Sequence, residues 1–226
     1  MKYKLVVLVL FLTFTQSFSQ VRVGLIGGLN FSDITDPDFG FSEFTHVNSF
    51  EFGAAADISF SDNFSIYLEP MYIEKGGAFK IEESIGKSIL PDITLRMSYI
   101  EIPIFLKFST GEKIKPFIIA GPTIDINLSS KIETGFQGFE FAIDTQDLTR
   151  RFGFGLSFGG GLNYMTDAIT LLIECRYTLG ISDFTKPGYL KADIAGNSFK
   201  EKISENPNLK TKGIQIMCGF LLPITN

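Results

Sequence analysis

The sequence predicts an all-β fold: an eight-stranded antiparallel up-and-down transmembrane β-barrel with four long outer loops and three short periplasmic turns. Three observations lead there. Apolar residues recur with period two along most of the chain, connections alternate between long and short, and strand charges fall on the parity opposite the large apolar side chains. Composition agrees, with 24 Phe and 22 Gly favouring strands and close packing over helices.

The chain opens with Lys2 and Lys4, runs apolar from Leu5 to Leu12, and reaches the small-x-small step Ser17-Phe18-Ser19 before Gln20. That order reads as a secretory leader over 1–19, removed on export, followed by one barrel domain over 20–226. The apolar run is too short for a membrane helix, which needs roughly twenty residues. No Cys follows the expected cut to carry a lipid anchor.

Eight strands follow, each of roughly 10 to 14 residues, a length that suits a tilted membrane crossing. Val21-Phe31 places Val21, Val23, Leu25 and Leu29 opposite Arg22, Gly24, Gly28 and Asn30. Phe50-Phe60 and Phe64-Lys75 alternate in the same way, separated only by Ser61-Asp62-Asn63. Tyr99-Phe108 places Ile100, Ile102 and Ile104 opposite Glu101, Pro103 and Phe105. Lys115-Leu128 is mixed at first and resolves to Ile124, Ile126 and Leu128 against Thr123, Asp125 and Asn127. Arg151-Tyr164 interleaves Phe and Leu with Gly and Ser, and Ile169-Ile181 and Thr211-Leu222 complete the set. The short connections 61–63, 109–114 and 165–168 belong at one end. The long ones, 32–49, 76–95, 129–150 and 182–210, belong at the other. Within the third long loop, Gln137-Asp144 still alternates and suits a hairpin above the membrane.

Parity alone fits a soluble barrel with an apolar inside equally well. Small residues decide, because the charged parity also carries Gly24, Gly28, Gly53, Gly153, Gly155, Gly159 and Gly161, as a cramped eight-stranded interior requires. The inward set then includes Lys75 and a lumen charge network of Arg22, Glu51, Asp57, Glu69, Glu101, Lys107, Asp125, Glu174 and Arg176. Buried charges must be paired, so these residues are expected to plug the lumen structurally rather than conduct ions or catalyse.

Other chemistry is sparse. His46 is the one histidine, in the first long loop with Ser42, Thr45 and Ser49, and an enzymatic reading would have to start there. No catalytic, cofactor-binding or metal-binding residues are assigned. The glycine runs at Gly24 and Gly153 lack the following helix of a phosphate loop. Cys175 and Cys218 share the apolar parity of neighbouring strands, and both a cross-strand disulfide and two free thiols stay open. A net charge of -5 gives nucleic acid nothing to bind.

Several stretches resemble the PorT-like outer-membrane β-barrel family of Bacteroidetes. They are Gly24-Leu-Ile-Gly-Gly-Leu-Asn-Phe31, Leu68-Glu-Pro-Met-Tyr-Ile-Glu-Lys-Gly76, Tyr99-Ile-Glu-Ile-Pro-Ile-Phe-Leu-Lys-Phe108, Lys115-Pro-Phe-Ile-Ile-Ala-Gly-Pro122 and Phe154-Gly-Leu-Ser-Phe-Gly-Gly-Gly161. The resemblance implies a small barrel of the OmpA/OmpX type, in the outer membrane of a Gram-negative bacterium. The chain departs from the pattern in ending Leu-Leu-Pro-Ile-Thr-Asn226 rather than on an aromatic residue. The expected function is a non-enzymatic integral barrel, structural or partner-binding through its outer loops, with a secretion-accessory role within that class. Its expected partners are outer-membrane lipid and a protein at the loops. The alternatives are a lipid-modifying or proteolytic outer-membrane enzyme, and a soluble periplasmic ligand-binding barrel.

Overall fold

A computed structural model describes residues 20–35, 44–79, 93–136, 139–194, 197–203 and 208–224. The leader expected over 1–19 lies outside the described residues, as does Ser42. The barrel wall is built from β1 (Gln20–Thr35), β2 (Phe44–Ser59), β3 (Phe64–Leu68), β4 (Met71–Phe79), β5 (Ile93–Ser109), β6 (Ile114–Phe136), β8 (Phe152–Met165), β9 (Thr170–Gly180) and β12 (Lys210–Ile224). Three short strands stand outside it: β7 (Phe139–Asp144), β10 (Gly188–Ile194) and β11 (Asn197–Ile203). Strands β3 and β4 form a single stave interrupted at Glu69 and Pro70, since proline has no N–H for the ladder. The Pro70 carbonyl still accepts from Ala54 N–H at 3.0 Å.

All pairings are antiparallel, and they close a ring of eight staves: β1, β2, β3–β4, β5, β6, β8, β9, β12 and back to β1. The register measures the stagger. Val21 faces Ile58, which faces Ile66, then Leu106, Ala120, Phe158, Tyr177, Ile214 and finally Phe31. One circuit therefore climbs from position 21 to position 31 of β1, ten residues. Over eight staves this stagger tilts the strands by about 43° and sets a backbone radius of roughly 8 Å. The apolar outward run from Val21 to Phe31 then rises roughly 24 Å, the height of an outer-membrane apolar band.

The period-two pattern sorts faces as the ring requires. Leu25, Phe50, Phe52, Ile118, Phe154 and Ile173 point outward, each more than half exposed, in a continuous apolar belt that no water-soluble surface tolerates. Aromatic rings gather at its lower rim, where Phe64 packs on Phe60 and Phe108 at 6.3 and 5.1 Å. The lower turns are tight. Gly111, at φ 106°, takes a conformation closed to side-chain-bearing residues, so the 110–113 turn depends on it.

Two features differ from the sequence expectation. Strands run past their predicted ends: β1 reaches Thr35, β2 starts at Phe44, and β6 extends to Phe136 to pair with β7 from Lys131↔Asp144 to Phe136↔Phe139. The fourth long loop contains the β10–β11 hairpin, which adds to the same sheet through Lys191↔Asp144. The β6–β7 pairing is the hairpin that the Gln137–Asp144 alternation suggested, whereas the β10–β11 hairpin stands where irregular loop was expected. The second difference lies inside the barrel, where bulky apolar side chains accompany the charges. A lower cluster holds Ile26, Tyr67, Phe105, Phe117, Ile119 and Leu221. An upper one holds Ile34, Ile73, Leu95, Met97, Tyr99, Phe184 and Leu209. The charges form a layer between two apolar ones.

Candidate functional site

Six of the eight staves send a polar side chain into the middle layer: Glu51 from β2, Glu69 and Lys75 from the broken stave, Glu101 from β5, Asp125 from β6, Glu174 and Arg176 from β9, and Gln215 from β12. All are buried. Arg176 is the hub. Its Nη1 contacts Glu69 Oε2 and lies 3.4 Å from Glu174 Oε1, while Nη2 reaches Glu101 Oε1 at 3.2 Å and Met71 Sδ at 3.1 Å. Its Nε donates to Gln215 Oε1, and the guanidinium carbon sits 5.4 Å from the Phe105 ring centre. Gln215 Nε2 donates in turn to Glu51 Oε2 at 3.0 Å and Glu101 Oε1 at 3.3 Å. Lys75 Nζ carries the network across the lumen, 2.6 Å from Glu101 Oε2 and 2.8 Å from Asp125 Oδ2.

Glycine makes room for the hub. Gly159 of β8 faces Arg176, and a Cβ there would lie 2.6 Å from Arg176 Cβ and 2.4 Å from the Cys175 carbonyl oxygen. A Cβ on Gly161 would meet Phe117 Cζ at 2.6 Å. The inward glycines of β8 thus lie against the largest side chains of the neighbouring staves, the small-against-large complement of a narrow barrel.

Not all the expected network residues meet. Asp57 and Lys107 form a separate buried pair at 2.9 Å, nearer the periplasmic end. There Lys107 Nζ lies 4.1 Å from both the Tyr67 and Phe117 ring centres. Arg22 stands apart from both groups. It is half-buried at the periplasmic mouth, faces Asp57 across the ladder, and donates to Gln20 Oε1. The position explains the difference, since Arg22 is only two residues from the lower end of its strand. Lys75 and Gln215 bridge the layer and were not among the network residues. Their inward parity was the available signal.

Below the Asp57–Lys107 pair lies a cavity of about 240 Å³, open to the periplasmic side and lined by Gln20, Arg22, Asp57, Asp62, Lys115 and Asn163 among others. Above the lipid band, outward charges form a ladder across β4, β5 and β6. Arg96 contacts Glu74 at 3.6 Å and Glu133 at 2.9 Å, and Lys131 contacts Glu133 at 2.6 Å. The Lys131 hydrogen bond holds the Glu133 carboxyl below its usual range.

His46 lies on β2, exposed on the outward side, whereas Ser49 is buried inside with its hydroxyl 2.8 Å from the Glu74 carbonyl. The two face opposite sides of one strand, so the hydroxyl and imidazole do not converge. Cys175 and Cys218 are both free and exposed on the apolar face. Cys175 faces Ile216 and Cys218 faces Ile173, so the thiols lie diagonally, a spacing of roughly 7–8 Å between Cα atoms that is too wide for a bridge. Among the described residues, no group of three His, Cys, Asp or Glu is arranged to hold a metal ion. No helix among them is long and apolar enough to cross a membrane. The crossing is made by strands.

The family described as outer membrane protein beta-barrel domain matches residues 14–186. The chain belongs to this family. The barrel therefore resides in the outer membrane, with the apolar belt against lipid. No curated relative matches the chain in sequence. Among solved structures it is similar to OprG from Pseudomonas aeruginosa, at 14% identity and TM-score 0.48, covering 92% of this chain and 97% of that one. It is also similar to Neisserial surface protein A, at 11% identity and TM-score 0.44, covering 89% and 96%. A third is the outer membrane protease OmpT from Escherichia coli, at 9% identity and TM-score 0.49, covering 92% and 98%.

Proposed function

We propose that this barrel is a non-enzymatic, non-conducting outer-membrane protein of the PorT-like kind, exported by the leader at 1–19. In this reading its charged lumen is a structural plug, and its β6–β7–β10–β11 sheet presents a surface to a protein partner outside the cell. A secretion-accessory role belongs to this class. The observation that carries the reading is the layering of the lumen. Two apolar clusters bracket an ion-paired layer among the described residues, and this filling of a bore of roughly 8 Å backbone radius supports a closed lumen. Catalysis by His46 gains no support, because the nearest described inward hydroxyl, Ser49, points away from it.

Reconstitution into a planar bilayer tests the plug. Intact protein is expected to add no unitary current steps, and steps that persist across preparations would mean that the lumen opens. Incubating the purified barrel with outer-membrane lipids and with peptides tests the enzymatic alternative. Turnover abolished by His46→Ala would establish it.

A further inference from the structure

We infer that the middle layer binds protons: in the membrane at neutral pH, Glu174 and Glu51 each hold one, so two carboxylic acids stand among its carboxylates. This deepens the reading of the lumen as a closed plug and rests on the dryness of that plug.

Charge in the layer does not balance. Among the described residues, Glu51, Glu69, Glu101, Asp125 and Glu174 share only Lys75 and Arg176. The Asp57–Lys107 pair below is matched within itself and leaves the excess unchanged. All five carboxyls are buried, and Glu69, Glu101 and Glu174 are sealed off completely. A buried ion without a partner is so costly that the group neutralises instead, and carboxyls sharing one site cannot all ionise.

Geometry marks where the protons sit. Lys75 Nζ donates to both oxygens of Asp125, at 2.9 and 2.8 Å, and stands 2.6 Å from Glu101 Oε2. Arg176 and Gln215 donate to Glu101 Oε1 at 3.2 and 3.3 Å. Glu69 takes the closest Arg176 contact through Oε2. Those three carboxyls hold the cations. Glu174 is served poorly, with Oε1 at 3.4 Å from Arg176 Nη1 and Oε2 meeting no donor among the described residues. Glu51 makes no ion pair among them. Its Oε2 accepts from the neutral Gln215 amide at 3.0 Å, and its Oε1 also meets no donor.

A carboxylate only accepts, whereas a carboxylic acid turns one oxygen into a donor. A proton on Glu174 or Glu51 thus removes a charge and adds a donor where acceptors are in excess. One such acceptor is Glu69 Oε1, which meets no donor either. Glu174 keeps its contact with Arg176, because the carbonyl oxygen of the acid still accepts.

The neighbouring staves bring no spare cation. Across the ladders Glu174 faces Gly161 of β8 and Met217 of β12, and Glu51 faces Gly28 of β1. The charged groups that bear on Glu174 are Glu69, Arg176, Lys107 and Glu51, with the Tyr67 hydroxyl nearby. Those that bear on Glu51 are Arg176, Glu101 and Glu69. Lys107 is committed to Asp57, and Arg176 is shared by three carboxyls. A metal ion would be the other neutraliser, but no three carboxyls among the described residues are arranged to hold one.

Infrared spectroscopy of the full chain, reconstituted into lipid bilayers at neutral pH, tests this. An un-ionised carboxyl has its own carbonyl stretch, separate from carboxylate and amide absorption and shifted by exchange into D2O. The parent is expected to show that band. Glu174→Gln and Glu51→Gln are each expected to lose a comparable part of it, and the double variant nearly all. Glutamine keeps the shape and neutrality of the acid, so both variants are expected to keep the folded, fast-migrating gel band. A parent without the carbonyl band overturns the proposal, as does a band that both variants leave at full strength. A variant that fails to fold at neutral pH overturns it too, since the replaced group was then needed as an ion. Planar-bilayer recordings of the same samples separate the two readings. Current steps from a parent that shows the band overturn the plug, and a silent parent without the band overturns the protons alone.

Discussion

At Arg176 a single guanidinium holds three carboxylates, so the two ends of its interactions respond differently to mutation. Removing the cation by Arg176→Met leaves Glu69, Glu101 and Glu174 without their shared partner in a dry lumen. Breaking a buried ion pair from one side costs roughly 3–5 kcal/mol. The folded, fast-migrating gel band of Arg176→Met is therefore expected to be lost at a markedly lower temperature than that of the parent. Glu174→Gln removes one of five carboxyl groups (Glu51, Glu69, Glu101, Asp125, Glu174) that share two cations (Lys75, Arg176). It is expected to leave that temperature unchanged or raise it, and a loss comparable to Arg176→Met would contradict this account of the layer. Gly159→Ala forces a Cβ to within 2.4 Å of a backbone oxygen, and urea unfolding in lipid is expected to show a loss of roughly 1–3 kcal/mol. Parity made Glu101 and Arg176 legible from the sequence, because each lies in the middle of a cleanly alternating strand. Glu69 continues the parity of Ser65 and Tyr67 up to the break at Pro70. Phe117 and Ile119 were not legible, since Lys115-Pro-Phe-Ile-Ile-Ala-Gly is apolar at consecutive positions and conceals its inward side. Nor does parity report depth, which is why Arg22 was grouped with residues well above it.

Individual strands show where alternation informs and where it stops. The eight membrane crossings were readable because lipid on one side and a narrow lumen on the other impose opposite demands at every second residue. Above the lipid both faces of a strand meet water or protein, and that demand lapses. The continuations of β1, β5 and β6, and the β10–β11 hairpin, therefore resembled loop. The Phe139–Asp144 alternation is the exception, and it does pair with β6. The ladder from Glu74 through Arg96 to Glu133 and Lys131 marks the change of surroundings. Strand β9 provides a test of the lipid face. Cys175 lies midway along its outward row from Leu171 to Leu179, and Cys175→Arg is expected to cost roughly 2–4 kcal/mol in lipid. An arginine introduced outside the apolar band, as in Glu112→Arg in the exposed 110–113 turn, is expected to be nearly silent in the same unfolding measurement.

For the whole barrel, the filled bore and the apolar belt make joint demands on reactivity. Cys175 and Cys218 are exposed yet face the acyl chains, so a membrane-impermeant maleimide is expected to leave both unlabelled in intact outer membranes. Both should react once detergent and heat have unfolded the protein. Labelling in intact membranes would place water where the belt has been placed. The seam between β1 and β12 has a further consequence. It joins the first strand of the chain to the last, from Val21↔Ile224 to Thr35↔Lys210. Until β12 arrives, β1 and β9 each present an unsatisfied row of backbone donors and acceptors, a row that recruits foreign strands in water and is intolerable in hydrocarbon. Insertion therefore cannot be completed piecemeal. A nascent chain cut short before Lys210 has no stable resting place in either phase, and a periplasmic protease that recognises open sheet edges would find every such fragment and no finished barrel.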